Sequence, residues 1–580
     1  MRRIRSYCLV VTFLAVGSVY AQSPTGTIAG VVTDSSGARL PAARVVITNR
    51  DNGLTRNLVA STDGDYSAAA LPSGVYTVAA EANGFRRLER AATVEAGTTT
   101  TVDLTLEIGQ VTEQVTVDDA TPLINYESHQ VGGVISRKQI ENLPLNGRNF
   151  LDLAKLEPGV TNPIRGTNNR IFVPLLGAGV QTTPRIGFTR VTVDGADINL
   201  VGTIGAGLQV SQEAVQEFQL STVNFDLATS VTSDGAVNIV TRSGGKDFHG
   251  SGFYFYRDHN LSAYPGLSRD ASNPDPFFQR QQVGFQLGGP IRKDRAFFFT
   301  SYERNNQRGV ISVQQRTPDF VPLGGVFPSP FVGNQFTLRL DAHLNANNNG
   351  FVRYTHDGNS AFAPVNGTPL PSGWSHVNNW VDQTMLALTS VLSTNVVNDL
   401  RFSYFFVSAP EIPAAAEDCS GCFGAGAPRI TVQNSGLVFG TNRRLSLVGR
   451  RYQLTDGLVW QRENHRLRFG FDWEDTRFSA SAIAQEPAGI TLWSPDDVRN
   501  FNATASPAQR IPLPSSFLTL NDILQLPLRS FTTAVGPGQT LQRDFHKNRI
   551  MDLYRLYAAD TWRASPRLTV NYGVAWSYEP

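Results

Sequence analysis

The chain has 580 residues, with 50 Lys and Arg against 49 Asp and Glu. It is long enough for several domains and close to neutral, which excludes a nucleic-acid binder relying on a broad basic surface. Charged residues are 17% and aromatics 10%, with 51 glycines, against ~25% charged in an ordinary soluble domain. That composition fits an all-β protein with one face on lipid, and equally a large secreted β-protein.

The N-terminus reads as a signal peptide over residues 1–21. Arg2, Arg3 and Arg5 precede a short apolar run, Leu9 to Val19, and Val19-Tyr20-Ala21 offers a cleavage site after Ala21. The run is shorter than the ~20 residues of a spanning helix. Cys8 precedes it, so it does not look like a lipid-attachment cysteine. No later segment is apolar enough to cross as a helix. Entry into a membrane would therefore require a closed barrel, because lipid cannot satisfy an open backbone.

Residues 24–108 read as a small β-sandwich. Apolar stretches at Thr27–Val32, Arg44–Thr48, Tyr66–Ala70, Val75–Ala80 and Val102–Ile108 alternate with turn signals such as Ser36-Gly37, Asp63-Gly64 and Asn83-Gly84. The spacing from Gly26 to Gly37, then Leu40-Pro41, Asp63-Gly64-Asp65-Tyr66 and Leu71 to Val78, resembles carboxypeptidase-regulatory-like domains. That resemblance implies a carbohydrate-binding-like, prealbumin-like fold. Sugar binding is implied only by the fold name, and fold does not fix function.

Residues 109–245 change to a mixed α/β character. Glu113-Gln114-Val115-Thr116-Val117 lies in a short strand-like segment between two domains. Ser136 to Asn142 predicts a short helix with Ser136 as cap, stopping before Pro144. Ser211 to Phe218 predicts another. Val191–Asp194 and Ala236–Arg242 predict strands. Ser243-Gly-Gly-Lys246 matches a Ser-x-x-Lys nucleophile motif by letters only, in a Gly-rich turn without its companion motifs.

A second resemblance rests on Leu143 to Leu153, Val193-Asp-Gly195, Glu213 to Gln219 and Gly235 to Gly245 followed by Phe248-His-Gly250. These blocks, in this order, resemble the plug of Oar-like TonB-dependent receptors. Leu227 to Asp234 departs from the Glu-Tyr-Gly-like step that relatives usually carry.

Residues 246–580 repeat alternating runs between turns and longer stretches. Leu467, Phe469, Phe471 and Trp473 alternate with Arg468, Gly470, Asp472 and Glu474. Val283, Phe285 and Leu287 alternate with Gly284, Gln286 and Gly288, and Leu568 to Tyr578 follows the same rule. In a soluble sandwich the apolar face would be core; in a barrel it faces lipid. Trp473, Trp562 and Tyr578 suit an interfacial aromatic girdle. The family resemblance favours the barrel. Residues 305–330, 361–375, 409–444 and 487–547 predict external loops. Cys419 and Cys422 fall in one, where a small disulfide loop is the expected reading over a redox pair or half a zinc site. Roughly a dozen strands can be placed where such receptors close with about 22, so the expectation is an N-terminal fragment carrying an incomplete barrel.

The fold expected is thus mainly β: a sandwich, an α/β plug and a partial transmembrane antiparallel barrel. The resemblance implies non-enzymatic, active uptake of a large nutrient across the outer membrane: an oligosaccharide, a peptide or a metal chelate. It implies as partners a TonB-type energy-transducing protein, outer-membrane lipid and an extracellular ligand, carbohydrate among the candidates. Glu113 to Val117 is the candidate contact segment for that partner, by β-strand pairing; the plain alternative is a first plug strand. No cofactor, metal or catalytic group is implied. A surface adhesin or secretion-linked barrel using the sandwich and long loops is the alternative, and a secreted enzyme finds no nucleophile–base pair or metal cluster.

Overall fold

The computed structural model describes residues 25–109, 114–117, 131–157, 160–161, 175–176, 190–199, 207–223, 227, 235–264, 269, 273–364, 370–415, 417–419, 421–441, 444–484, 489–533, 541–565 and 568–580. The expected signal peptide, Glu113, and nearly all of the Leu227–Asp234 departure lie outside them.

The first body is a two-sheet sandwich. Its strands are β1 Gly26–Asp34, β2 Arg44–Asn49, β3 Thr55–Val59, β4 Asp65–Leu71, β5 Gly74–Glu81, β6 Arg87–Val94, β7 Thr99–Thr101 and β8 Leu104–Leu106. One sheet runs β4-β1-β7, with β8 also on β1; the other runs β3-β2-β5-β6. Inward positions such as Ile28, Val45, Ile47, Val78 and Leu104 are fully buried, as strand alternation requires. Gly30 sits where a Cβ would meet the Val102 carbonyl oxygen at 2.0 Å, so the β7–β8 connection can cross closely only over glycine. The sequence did not reveal β3 and β6, whose Arg56, Asn57, Arg87, Glu89 and Arg90 hide the alternation. A further strand, β9 Gln114–Val117, adds in parallel to β6, pairing Leu88 with Val115.

The second body follows. It comprises β10 Val131–Ile135, helix α1 Arg137–Asn142, a 3-10 helix Phe150–Leu156, β11 Val160–Thr161, β12 Leu175–Leu176, β13 Arg190–Val193, β14 Ala196–Asp197, β15 Val215–Val223 and β16 Ala236–Thr241. Its main sheet is ordered β10-β15-β16-β13-β14, with β13 and β16 parallel. Helix α1 forms as expected: the Ser136 N–H and hydroxyl both donate to Gln139 Oε1, at 2.9 and 3.0 Å. The helix expected over Ser211–Phe218 does not form. Gln212–Ala214 is one 3-10 turn and Val215 starts β15. The register of β15 on β16 shifts between Val215 and Glu217, and this bulge turns Val215 and Phe218 to the same core, a three-residue spacing that mimics a helix.

The remainder is dominated by one antiparallel sheet. In chain order its strands and their attachments are β17 His249–Asp258, β18 Phe278–Arg292, β19 Ala296–Val313, β20 Gly325–Pro328, β21 Phe331–His343, β22 Asn348–Ala363, β23 Ser375–Ser393, β24 Val396–Ser408, β25 Glu411–Pro413, β26 Arg429–Val432, β27 Val438–Phe439, β28 Arg444–Arg462, β29 His465–Ala484, β30 Gly489–Leu492, β31 Leu528–Thr532, β32 Leu541–Ser565 and β33 Leu568–Tyr578. The main path runs β17-β18-β19-β21-β22-β23-β24-β28-β29-β32-β33. Among the described residues no pairing joins β17 to β33.

This sheet is inside-out. On β18, Val283, Phe285 and Leu287 are 44, 45 and 42% exposed, while Gln282 and Gln286 are 5 and 7%. Arg353, Thr355 and Asp357 on β22, and Asp399, Arg401 and Ser403 on β24, are likewise buried beside exposed Val352, Leu400 and Phe402. A soluble sandwich buries the apolar face; a barrel wall turns it to lipid and lines its lumen with polar groups. At one end the strands join through tight turns at 293–295, 344–347, 394–395 and 463–464; at the other they join through long excursions. Short turns mark the periplasmic end of such barrels and long loops the external end.

The long excursions carry secondary structure of their own. Strand β19 runs well into the 305–330 stretch, to Val313. A sheet ordered β27-β26-β30-β31 forms from the later loops, with helices Pro495–Thr504 and Leu520–Leu524. Phe320, Leu370, Trp374, Ile430, Leu437, Phe439, Phe517 and Ile523 close a separate core, drawn from all four stretches. Each contributes only a few apolar residues without local period, so no single segment signals the cap.

Candidate functional site

The sequence blocks that carry the family resemblance converge on the boundary between the second body and the sheet. Val193-Asp-Gly195 makes the tight β13–β14 turn, with φ of 50° at Asp194 and 86° at Gly195. The Asp194 carboxylate accepts the Thr241 N–H at 2.9 Å and the Thr241 hydroxyl at 2.7 Å. It faces Arg353 Nη1 at 2.9 Å and Arg339 Nη1 at 3.8 Å. Arg401 Nη1 donates to the Asp194 carbonyl at 2.6 Å. Asp194 is 1% exposed and Arg353 0%. Burial pushes the Asp194 carboxyl up, but Arg353, Arg339 and the Thr241 hydrogen bonds outweigh it and hold it below the usual carboxylate range.

A second latch centres on Arg190 of β13. Its Nη2 lies 2.5 Å from Glu474 Oε1 and 3.7 Å from Asp472, and its Nη1 3.5 Å from Asp197. Arg451 of β28 reaches Asp197 at 3.2 Å and donates to the Asn199 carbonyl at 3.1 Å. Burial opposes the Arg190 charge, yet Glu474, Asp197 and Asp472 more than offset it and raise its pKa. Two guanidinia thus hold three carboxylates across the boundary.

The third latch uses the first block. Gly147 and Arg148 are both left-handed, at φ 81° and 60°. The turn aims Arg148 at Glu213, 2.6 Å, and Glu303, 3.3 Å, with its guanidinium 3.9 Å over the Phe253 ring. Ser211 donates to Glu303 at 2.7 Å, and the Gln209 N–H to Asp357 at 3.0 Å. A small cavity of about 50 Å³ lies here between Gly147–Leu151, Leu208–Val210 and the wall residues Gln282, Glu303 and Asp357.

Apolar packing joins the same two bodies: Phe299, Val381, Phe405, Val407 and Leu447 of the sheet belong to the core of Ile135, Phe150, Val193, Phe218 and Ile239. Gly244 permits the connection, since a Cβ there would meet the Phe298 carbonyl oxygen at 2.3 Å. The second body is thus bound to the polar face of the sheet by buried charges and by a shared apolar core.

The residues predicted from sequence lie elsewhere. Gln114–Val117 form β9 on the sandwich edge, away from these latches, and Glu113 is outside the described residues. Cys422 is disulfide-bonded. Cys419 ends a 3-10 turn three residues earlier, and its side chain is outside the described residues. Lys246 of the Ser-x-x-Lys match donates its N–H to the Asp51 carbonyl at 2.9 Å, bridging to the sandwich. Sequence reasoning missed the latches; their signal was the charges Arg339, Arg353, Arg401, Arg451 and Glu474 on the polar faces of the alternating strands.

Comparison with known proteins fits this geometry. The chain matches the outer membrane beta barrel domain family over residues 240–331 and 324–580, and the carboxypeptidase regulatory-like domain over 27–107. It is 29% identical over 307 residues to the TonB-dependent transporter Oar of Myxococcus xanthus, covering 50% of this chain and 28% of that protein. The fold is similar to the outer membrane transporter YddB from Escherichia coli, with a TM-score of 0.53 at 12% identity, covering 77% of this chain and 56% of that one.

Proposed function

The chain belongs to the outer membrane beta barrel domain family, an outer-membrane assignment, and from that premise we propose that it is the plug-bearing part of an active importer. The single observation that supports this reading best is the charged lumen wall gripping a folded plug. A pore for passive diffusion would leave its lumen wet. A permanently sealed barrel would gain more from an apolar core than from buried ion pairs, which contribute little net stability yet are costly to break singly. Such pairs suit a plug that must stay put until pulled.

In this reading residues 109–245 are the plug, and residues 246–580 supply barrel strands whose open edges pair further. Residues 1–21 are a cleaved leader. Glu113 to Val117 pairs with a TonB-type protein that transmits the proton-motive force. The cargo is a large nutrient, an oligosaccharide, peptide or metal chelate, caught by the folded external cap. No catalytic step is assigned. Cys419 and Cys422 close a small loop within the cap.

The test uses the full-length protein in a strain lacking its own copy. Growth on oligosaccharides, peptides and metal chelates as limiting sources is compared with and without residues Glu113–Val117. Growth on at least one source that the deletion abolishes is expected. A deletion that leaves growth unchanged but abolishes surface attachment overturns the importer in favour of an adhesin.

A further inference from the structure

The sandwich is attached to the rest of the molecule differently from the plug. Its core, from Ile28 to Leu106, takes in no described residue of plug or barrel, whereas the plug core shares five apolar residues with the wall. Several contacts that seat the sandwich, among the described residues, are polar. Asp65 pairs with Arg563 at 3.2 Å, with both side chains partly exposed. Arg56 Nη2 donates to Asn349 Oδ1 at 3.1 Å, and Arg466 Nη1 to the Thr99 hydroxyl at 3.5 Å. The Lys246 N–H reaches the Asp51 carbonyl, and the Ala96 N–H reaches Glu217 of the plug at 2.7 Å.

These contacts fall on the short-turn end of the barrel. Clefts of about 260 and 130 Å³ run between the β3–β4 region and the wall around 391–395 and 463–466. A chamber of about 420 Å³ lies where sandwich, plug and barrel meet, walled by Arg50, Asp51, Arg242, Lys246, Arg339 and Asp341. The sandwich is its floor.

We propose that the N-terminal sandwich is a releasable periplasmic stopper, seated by polar contacts on the barrel turns and closing the chamber beneath the plug. The Asp65–Arg563 pair is partly exposed and so weak and screened by salt, and a domain joined without a shared apolar core is free to move as a unit. The edge pairing of β9 with β6 gives a handle: a pull on Gln114–Val117 reaches the sandwich before the plug. This role for β9 rests on the importer reading; the seating itself does not. In that reading cargo crosses only after the stopper has lifted.

The test needs no cargo. Spin labels go on the full-length protein in detergent at Ser35→Cys of the sandwich and Lys293→Cys of a barrel turn. A second pair, Lys138→Cys with Lys293→Cys, reports plug against barrel. At low salt both pairs give one narrow distance. High salt, or the combined Arg56→Gln, Asp65→Asn and Arg563→Gln variant, is expected to raise a longer-distance population of the first pair several-fold and leave the second unchanged. A first pair that stays narrow under both treatments overturns the stopper and leaves the importer reading standing. Broadening of both pairs together also overturns it, because the sandwich would then not move independently.

Discussion

Replacing Asp194 with Asn probes the plug's attachment most sharply. The change is nearly isosteric and keeps an oxygen for the Thr241 N–H, but it puts an NH2 donor where an oxygen accepted the Thr241 hydroxyl and leaves Arg353 fully buried without its carboxylate. Breaking one partner of a buried pair costs ~3–5 kcal/mol. Arg353 keeps Gln383 Oε1 at 2.6 Å and the Val193 carbonyl at 3.3 Å, so the low end applies, about 3 kcal/mol. Local opening of the plug should then ease by that amount, about a hundredfold in amide exchange at 1.4 kcal/mol per decade. Hydrogen exchange of the β13 and β16 amides reads this directly. Ile47 and Val78 in the separate sandwich core serve as the unchanged control. Adding Arg353→Gln should recover part of the loss, since the orphaned charge is then gone. Exchange altered by less than about threefold, or altered equally in the sandwich, would refute the latch.

Other outcomes follow from the same contacts. Glu217 is buried against the sandwich; burial first, then the neighbouring Glu95, push its carboxyl up to about 7 from 4.5, against the opposing Ala96 N–H and Ser73 hydrogen bonds. A raised pKa stabilises the seated state fully below the ordinary value and loses that contribution as pH climbs through the raised one. Seating of the sandwich, followed with the Ser35–Lys293 label pair, should therefore weaken between about pH 4.5 and about 7, and Glu217→Gln should flatten the profile. Trp374→Ala empties the centre of the external cap at ~3–5 kcal/mol; protease added outside cells should then cut within 487–532 while the barrel strands stay intact.

The parts of the fold legible in the sequence were those with a short-range cause. Alternation in β18 and β29 and the Ser136 cap each lie within a dozen residues, and the structure follows them. Where the cause is long-range, the reading failed. The bulge after Val215 copied a helical spacing; the cap core takes two to four residues from each of four distant loops; and β6 carries too many charges to advertise a strand. The latches were half legible. The blocks holding Arg148, Asp194 and Glu213 stood out, but their partners Arg353, Glu303 and Glu474 looked like any lumen-facing residues, because only pairing across the sheet tells which lumen charge meets the plug.

The proposed coupling through Glu113–Val117 is tested most directly by site-specific cross-linking. Cells make the full-length protein with Val115→Cys together with a TonB-type protein carrying a cysteine in its receptor-binding strand. The account predicts a disulfide adduct between the two, with register-dependent yield across single cysteines from residue 113 to 117. No adduct at any of the five positions, with the protein present in the outer membrane, would contradict it.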